Sequence, residues 1–200
     1  MCGLFGFVGN PDMDIVRAIA GEAAKRGPHA WGFAFDCGTV NGMGCLLNHM
    51  RMLDCLEGAS WCIGNARMAT FGASDERNNQ PIRVGKVTVV HNGNIYAAGE
   101  IMHRFGHTPQ TQSDTEALAV VLDADLPDFG FFDIPYGGAP QAALWKRKGE
   151  PAVHAACMGH PLYYTLDLEG CVYLCSRPAL VVGCMWVGVV DGFTMVFRSV

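Results

Sequence analysis

The chain has 200 residues, half of them hydrophobic, enough for one domain with a sizeable core and too few for two large ones. A net charge of −5 and a pI near 5.7 accompany no basic run denser than Lys146-Arg147-Lys148, so the charge pattern of a nucleic-acid binder is missing. The longest apolar run, Ala179 to Val190, is broken by two glycines and falls short of the roughly 20 residues of a membrane-spanning helix. The N-terminus lacks the basic start of a signal peptide, and the chain reads as cytoplasmic.

In chain order, Leu4, Phe5, Phe7 and Val8 predict a first strand. Asn10-Pro11-Asp12 then opens a helix with Ile15, Ile19 and Ala23 at i+4 spacing. Lys25-Arg26-Gly27 closes it, with cations in the last turn and glycine at the C′ position. Short strands are expected over Trp31–Phe35, Trp61–Ala66 and Lys86–His91. A second helix should run from Asn94 or Ile95 to Phe105, where Gly106 stops it. A third should begin at the capping box Ser113-Asp114-Thr115-Glu116, with Ser113 as cap. Strands follow over Ala142–Trp145, Val153–Met158, Leu162–Leu166 and Val172–Cys175. Cys184–Val190, Asp191-Gly192 and Phe193–Arg198 predict a closing hairpin. No repeat or linker divides the sequence, so residues 1–200 are expected to form a single α+β domain.

Nine cysteines without regular spacing suit reduced thiols used as small apolar residues. His154, Cys157 and His160 could be joined to Cys171 and Cys175 as zinc ligands. However, strand spacing puts the last two about 13 Å apart, too far for one tetrahedral ion, and no metal is expected. Cys2 differs from the others. Removal of Met1 would leave a thiol and a free α-amine on one residue. The amine titrates near 7.7–8.0 and could take the thiol's proton, so nucleophile and base would come together. Met1-Cys2-Gly3 alone is equally compatible with a buried cysteine in a first strand.

Four further segments bear on that choice: Lys25-Arg26-Gly27-Pro28, Gly64-Asn65-Ala66-Arg67-Met68-Ala69-Thr70-Phe71-Gly72, His91-Asn92-Gly93-Asn94 and Ser113-Asp114-Thr115-Glu116. With Cys2-Gly3-Leu4 at the start, and Asn79-Gln80-Pro81 after the arginine loop, the set resembles the class II glutamine amidotransferase domain of the N-terminal nucleophile hydrolases. The resemblance runs in order from Cys2 to about Pro178. It implies a four-layer αββα sandwich of two antiparallel sheets that needs no cofactor. Met68, His29 and Phe71 depart from the family pattern, in positions that shape the glutamine loop.

The resemblance also implies roles. Cys2 would attack the side-chain amide of L-glutamine, and the Asn92 amide with the Gly93 N–H would hold the oxyanion. Arg67 would pair the α-carboxylate bidentately, and Thr70 and the Phe71 backbone would complete that site. Asp114 would pair the α-ammonium and Arg26 would order the N-terminal strand. His91 is expected to be structural rather than a general base. No synthase domain follows Val200, so ammonia is expected to pass to a separate synthase subunit. Hydrolysis of another γ-glutamyl amide and a silent glutamine-binding regulatory module are the alternatives.

Overall fold

The computed structural model describes residues 1–68, 76–126, 130–181, 185–188, 192 and 194–198. Among these residues two antiparallel sheets stack face to face. The first contains β1 (Gly3–Val8), β2 (Ala30–Phe35), β3 (Gly38–Met43), β4 (Trp61–Arg67), β9 (Tyr163–Leu166), β10 (Val172–Cys175) and β11 (Val187–Gly188), in the order β11-β9-β10-β1-β4-β2-β3. The second contains β5 (Ile82–Val84), β6 (Val87–Asn92), β7 (Gln141–Arg147), β8 (Ala152–Met158) and β12 (Thr194–Arg198), in the order β12-β8-β7-β6-β5.

Side-chain alternation sorts these strands into layers. Leu4 and Val8 of β1, Ile63 of β4, and Val90, Leu144 and Ala155 of the second sheet form the apolar interlayer. Phe5, Phe7, Phe33 and Phe35 point the other way. They pack on helix α1 (Met13–Ala24) and on 3-10 turns over Leu46–Leu56. The outer face of the second sheet, with Val87, Val89 and Trp145, is covered by α2 (Ala98–Arg104) and α3 (Thr115–Ala124). The result is the αββα sandwich expected from the sequence.

Several local expectations are corrected. α1 starts as anticipated, with Asp12 capping through Asp14 N. Gly27, however, does not take the left-handed conformation; a Cβ there would lie 2.0 Å from the Ala66 carbonyl oxygen, so it is needed for close approach to β4. The second helix is shorter than predicted, because residues before Ala98 are bound into a turn described below. The capping box does not form, since Glu116 accepts instead from the Gln110 and Thr111 N–H groups and from the Thr111 hydroxyl, and bonds His107.

The closing hairpin is also overturned. Val187–Gly188 pairs with β9 in the first sheet, whereas Thr194–Arg198 pairs with β8 in the second. Each segment covers the open edge of a different sheet, a stronger demand than the local Asp191-Gly192 turn signal. Strands β3 and β5 and the turns over Leu46–Leu56 were not anticipated. The proposed zinc ligands are divided between layers, with Cys157 in the interlayer and Cys171 and Cys175 in the outer core. No described helix is long and apolar enough to cross a membrane.

Candidate active site

Strand register decides what meets at one end of the sandwich. Antiparallel pairing of β1 with β4 sets Gly3 opposite Ala66, so Cys2, just before β1, lies beside Arg67 at the end of β4. In the facing sheet, β6 ends at Asn92, which pairs with Ala142 near the start of β7. Cys2, Arg67, Gly93 and Asp114 line one narrow cleft, with Met68, His91, Gln80 and Ser113 completing its walls.

The Cys2 backbone N–H donates to Asn92 Oδ1 at 2.8 Å, and the Cys2 thiol lies 3.7 Å from the Met68 carbonyl oxygen. Asn92 is buried, and its Nδ2 has no hydrogen-bond partner among the described residues. A buried amide donor without a partner is costly unless something else supplies an acceptor. Burial pushes the Cys2 thiol above its ordinary range, while a backbone hydrogen bond at Met68, the N-terminal ammonium, Asn65 and Arg67 pull the other way without reversing the direction. The resting group is therefore a thiol, which would need a base to act as a nucleophile.

The Asn92-Gly93 turn is held from both sides by a residue that the sequence did not single out. Gln141 Nε2 donates to the carbonyl oxygens of Asn94 and Ala139, each at 3.0 Å. Its Oε1 is thereby turned toward His91 Nε2, 2.6 Å away, so that ring nitrogen carries the proton. A Cβ on Gly93 would fall 1.8 Å from Gln141 Oε1, which explains glycine at 93 by close approach. Gln80 adds a second brace: its Oε1 accepts from His91 N at 2.6 Å and its Nε2 donates to Thr115 Oγ1 at 2.9 Å. Burial lowers the His91 pKa, and only partial opposition comes from Asp114 and Gln141, so the ring is neutral. The sole sequence signal for Gln141 was a polar residue opening an otherwise apolar strand.

Asp114 immediately precedes α3 and its Oδ2 accepts from Ile95 N at 2.7 Å, tying the segment after the turn to the helix start. Arg67 is buried at the mouth of the interlayer. Arg26 Nη1 donates to the Ser176 carbonyl at 2.9 Å, and Ser176 brackets Leu4 by accepting from its N–H and donating to its carbonyl. Met1 is exposed, with its ammonium 3.3 Å from Met68 Sδ. Thr70 and Phe71 lie outside the described residues.

This layered architecture, with a cysteine at the tip of a central strand, has the fold of the N-terminal nucleophile hydrolases. *Bacillus subtilis* glutamine phosphoribosylpyrophosphate amidotransferase superposes with a TM-score of 0.77 at 24% identity, covering 98% of this chain and 47% of that one. A glutamine aminotransferase class-II domain protein from *Silicibacter pomeroyi* gives 0.62 at 12% identity, covering 98% and 94%. Residues 65–182 match the family described as the glutamine amidotransferase domain, and the chain belongs to that family. Among curated relatives, the glutamine–fructose-6-phosphate aminotransferase of *Caulobacter vibrioides* is 33% identical over 138 residues, covering 63% of this chain and 22% of that protein. The *Pyrococcus horikoshii* enzyme of the same name is 30% identical over 145 residues, covering 66% and 24%. The chain thus spans about a fifth of the length of the curated relatives it matches.

Proposed function

We propose that the chain hydrolyses the side-chain amide of L-glutamine through a γ-glutamyl thioester on Cys2 and passes the ammonia to a separate synthase subunit. The observation that carries this reading is the Asn92 amide: its oxygen holds the Cys2 nitrogen at 2.8 Å and its buried Nδ2 has no partner among the described residues. A donor so placed beside a nucleophile suits the oxygen of a tetrahedral intermediate.

In this mechanism Met1 is removed first. The Cys2 amine takes the thiol proton, and Sγ attacks the amide carbon as the carbonyl oxygen becomes the oxyanion between Asn92 Nδ2 and the Gly93 N–H. Collapse breaks the C–N bond, and the amine returns its proton to the leaving nitrogen, which departs as ammonia. Water then cleaves the thioester to glutamate. Arg67 pairs the substrate carboxylate, with Thr70 and the Phe71 backbone beside it, and Asp114 pairs the ammonium. Arg26, acting through Ser176, holds β1 in place.

Intact-mass analysis tests this directly. Active protein should begin at Cys2 and, on rapid acid quenching with glutamine, should carry one γ-glutamyl group that hydroxylamine releases. Turnover by Cys2→Ala, or by protein that keeps Met1, would sink the mechanism. For the acceptor, a co-purifying synthase should raise kcat/KM for glutamine and accept external ammonium in its place; failure of both would leave hydrolysis standing without transfer.

A further inference from the structure

At the end of the sandwich opposite Cys2, the sheets part around a second cleft, of about 340 Å³. Its size is within the roughly 300–1,000 Å³ of small-molecule sites. Arg83, Lys86, Lys146, Arg147 and Lys148 line it, five of the 14 Lys and Arg residues of an acidic chain.

The register builds part of this cluster. Arg83 pairs with Thr88, and Thr88 with Lys146, so the three form a row across β5, β6 and β7. Their neighbours Ile82, Val89 and Trp145 belong to the outer core, so the row faces inward, toward the first sheet. Lys146 Nζ lies 5.4 Å from the centre of the Trp61 ring and donates to the carbonyls of Arg147 and Glu150. Two turns supply the remaining ammonium groups, and their backbones are fixed: Lys148 N donates to the Lys86 carbonyl at 2.8 Å, and Lys86 N to Asp123 Oδ1 at 2.7 Å.

Acids in and around the cleft are already engaged. Asp36 accepts from the Ser60 N–H and hydroxyl, and Asp125 pairs Arg147 at 2.8 Å. Arg83, Lys86 and Lys148 are exposed and form no ion pair among the described residues. A concave mouth with an excess of cations focuses a positive field that a compact anion would neutralise. Guanidinium, ammonium and hydroxyl donors converging from three elements match phosphoryl oxygens. Along the row burial deepens from exposed Arg83 through half-buried Thr88 to buried Lys146, so the cations run from the rim into the cleft.

We propose that this cleft binds a phosphoryl-bearing small molecule with at least two negative charges. Calorimetric titration of the full chain with inorganic pyrophosphate, and separately with ATP, tests it. One saturable site is expected, weakened by added salt. Lys86→Gln with Lys148→Gln should reduce affinity about tenfold or more, as should Arg83→Gln, with partial recovery in Arg83→Lys. Tighter binding of pyrophosphate would identify a free oligophosphate; tighter binding of ATP, with loss in Trp61→Ala, a nucleotide. The exposed turn variants should melt like the parent, so lost binding reports the site rather than the fold. No saturable binding of either probe, or equal affinity in the folded double variant, overturns the proposal. Binding of poly-glutamate in place of both probes would also overturn it, in favour of an acidic protein partner.

Discussion

One side-chain amide, that of Asn92, would in the proposed mechanism serve both positioning and chemistry: its oxygen fixes the Cys2 nitrogen and its unpartnered nitrogen would receive the oxyanion. Asn92→Ala should therefore lower kcat by about 10²–10³-fold, whereas Arg67→Ala and Asp114→Ala should act first on KM, because in the proposed mechanism they hold parts of glutamine that do not react. Steady-state kinetics distinguish the two patterns, and a pure KM effect at Asn92 would remove it from the oxyanion site. The raised Cys2 pKa sets a second expectation. With no preformed thiolate, kcat/KM should climb with pH as the proposed base, the Cys2 amine, loses its proton. A pH profile flat down to about 5 would instead require an acidic thiol. Gln141→Met keeps the volume but frees both His91 and the Asn94 carbonyl, so kcat should fall with a smaller change in KM. A loss of melting temperature with unchanged kcat would reduce Gln141 to a packing role.

Helix α3 shows how an element can be recognised for a reason that the fold does not use. The run Ser113-Asp114-Thr115-Glu116 marked its start correctly, yet Glu116 turns back to the preceding loop and Ser113 makes no cap. Burial alone would raise the Glu116 pKa, but bonds from His107, Gln110 and Thr111 outweigh it and lower the value. A lowered folded-state pKa contributes stability above the unfolded value of about 4.3 and loses it as pH falls through the folded one. Glu116→Gln should cost about 1–3 kcal/mol near neutral pH and flatten the acid side of the stability curve, as measured by denaturant melts. The same contrast runs through the other elements. Apolar strands such as β1 and β6, buried on both faces, and the amphipathic α1 were legible from their own pattern. β3, with two glycines and an asparagine among six residues, has no such pattern and is a strand because it borders β2. The destination of Thr194–Arg198 depended on the open edge of β8, which no local signal encodes. Cys2, Arg67, Gly93 and Asp114, all carried by motifs, meet in one cleft, whereas Gln141, which no motif carried, owes its position to long-range register.

Across the whole molecule, three apolar layers bind four strata, and the middle one determines whether the two halves of the site face each other. Cys2 and Arg67 belong to one sheet, and Asn92 and Gly93 to the other. Leu144 is fully buried in that interlayer, so Leu144→Ala should cost about 2–5 kcal/mol. Thermal melts should show this loss, and a shift within error would mean that the layer collapses around the gap. In the surviving folded fraction, glutamine turnover should fall as well, because the sheets carry opposite halves of the cleft.

β1 lies between β4 and β10, and Leu4 is bound by Ser176, 172 positions later. Synthesis runs from N to C, so β1 is made long before β10, its second neighbour in the sheet. Over that interval β1 has no complete sheet to enter, and the residues ahead of it stay accessible, as the proposed removal of Met1 requires. A nascent chain paused before Val172 holds Cys2 but not β10, so under the proposed mechanism trimming would have time to precede assembly of the site.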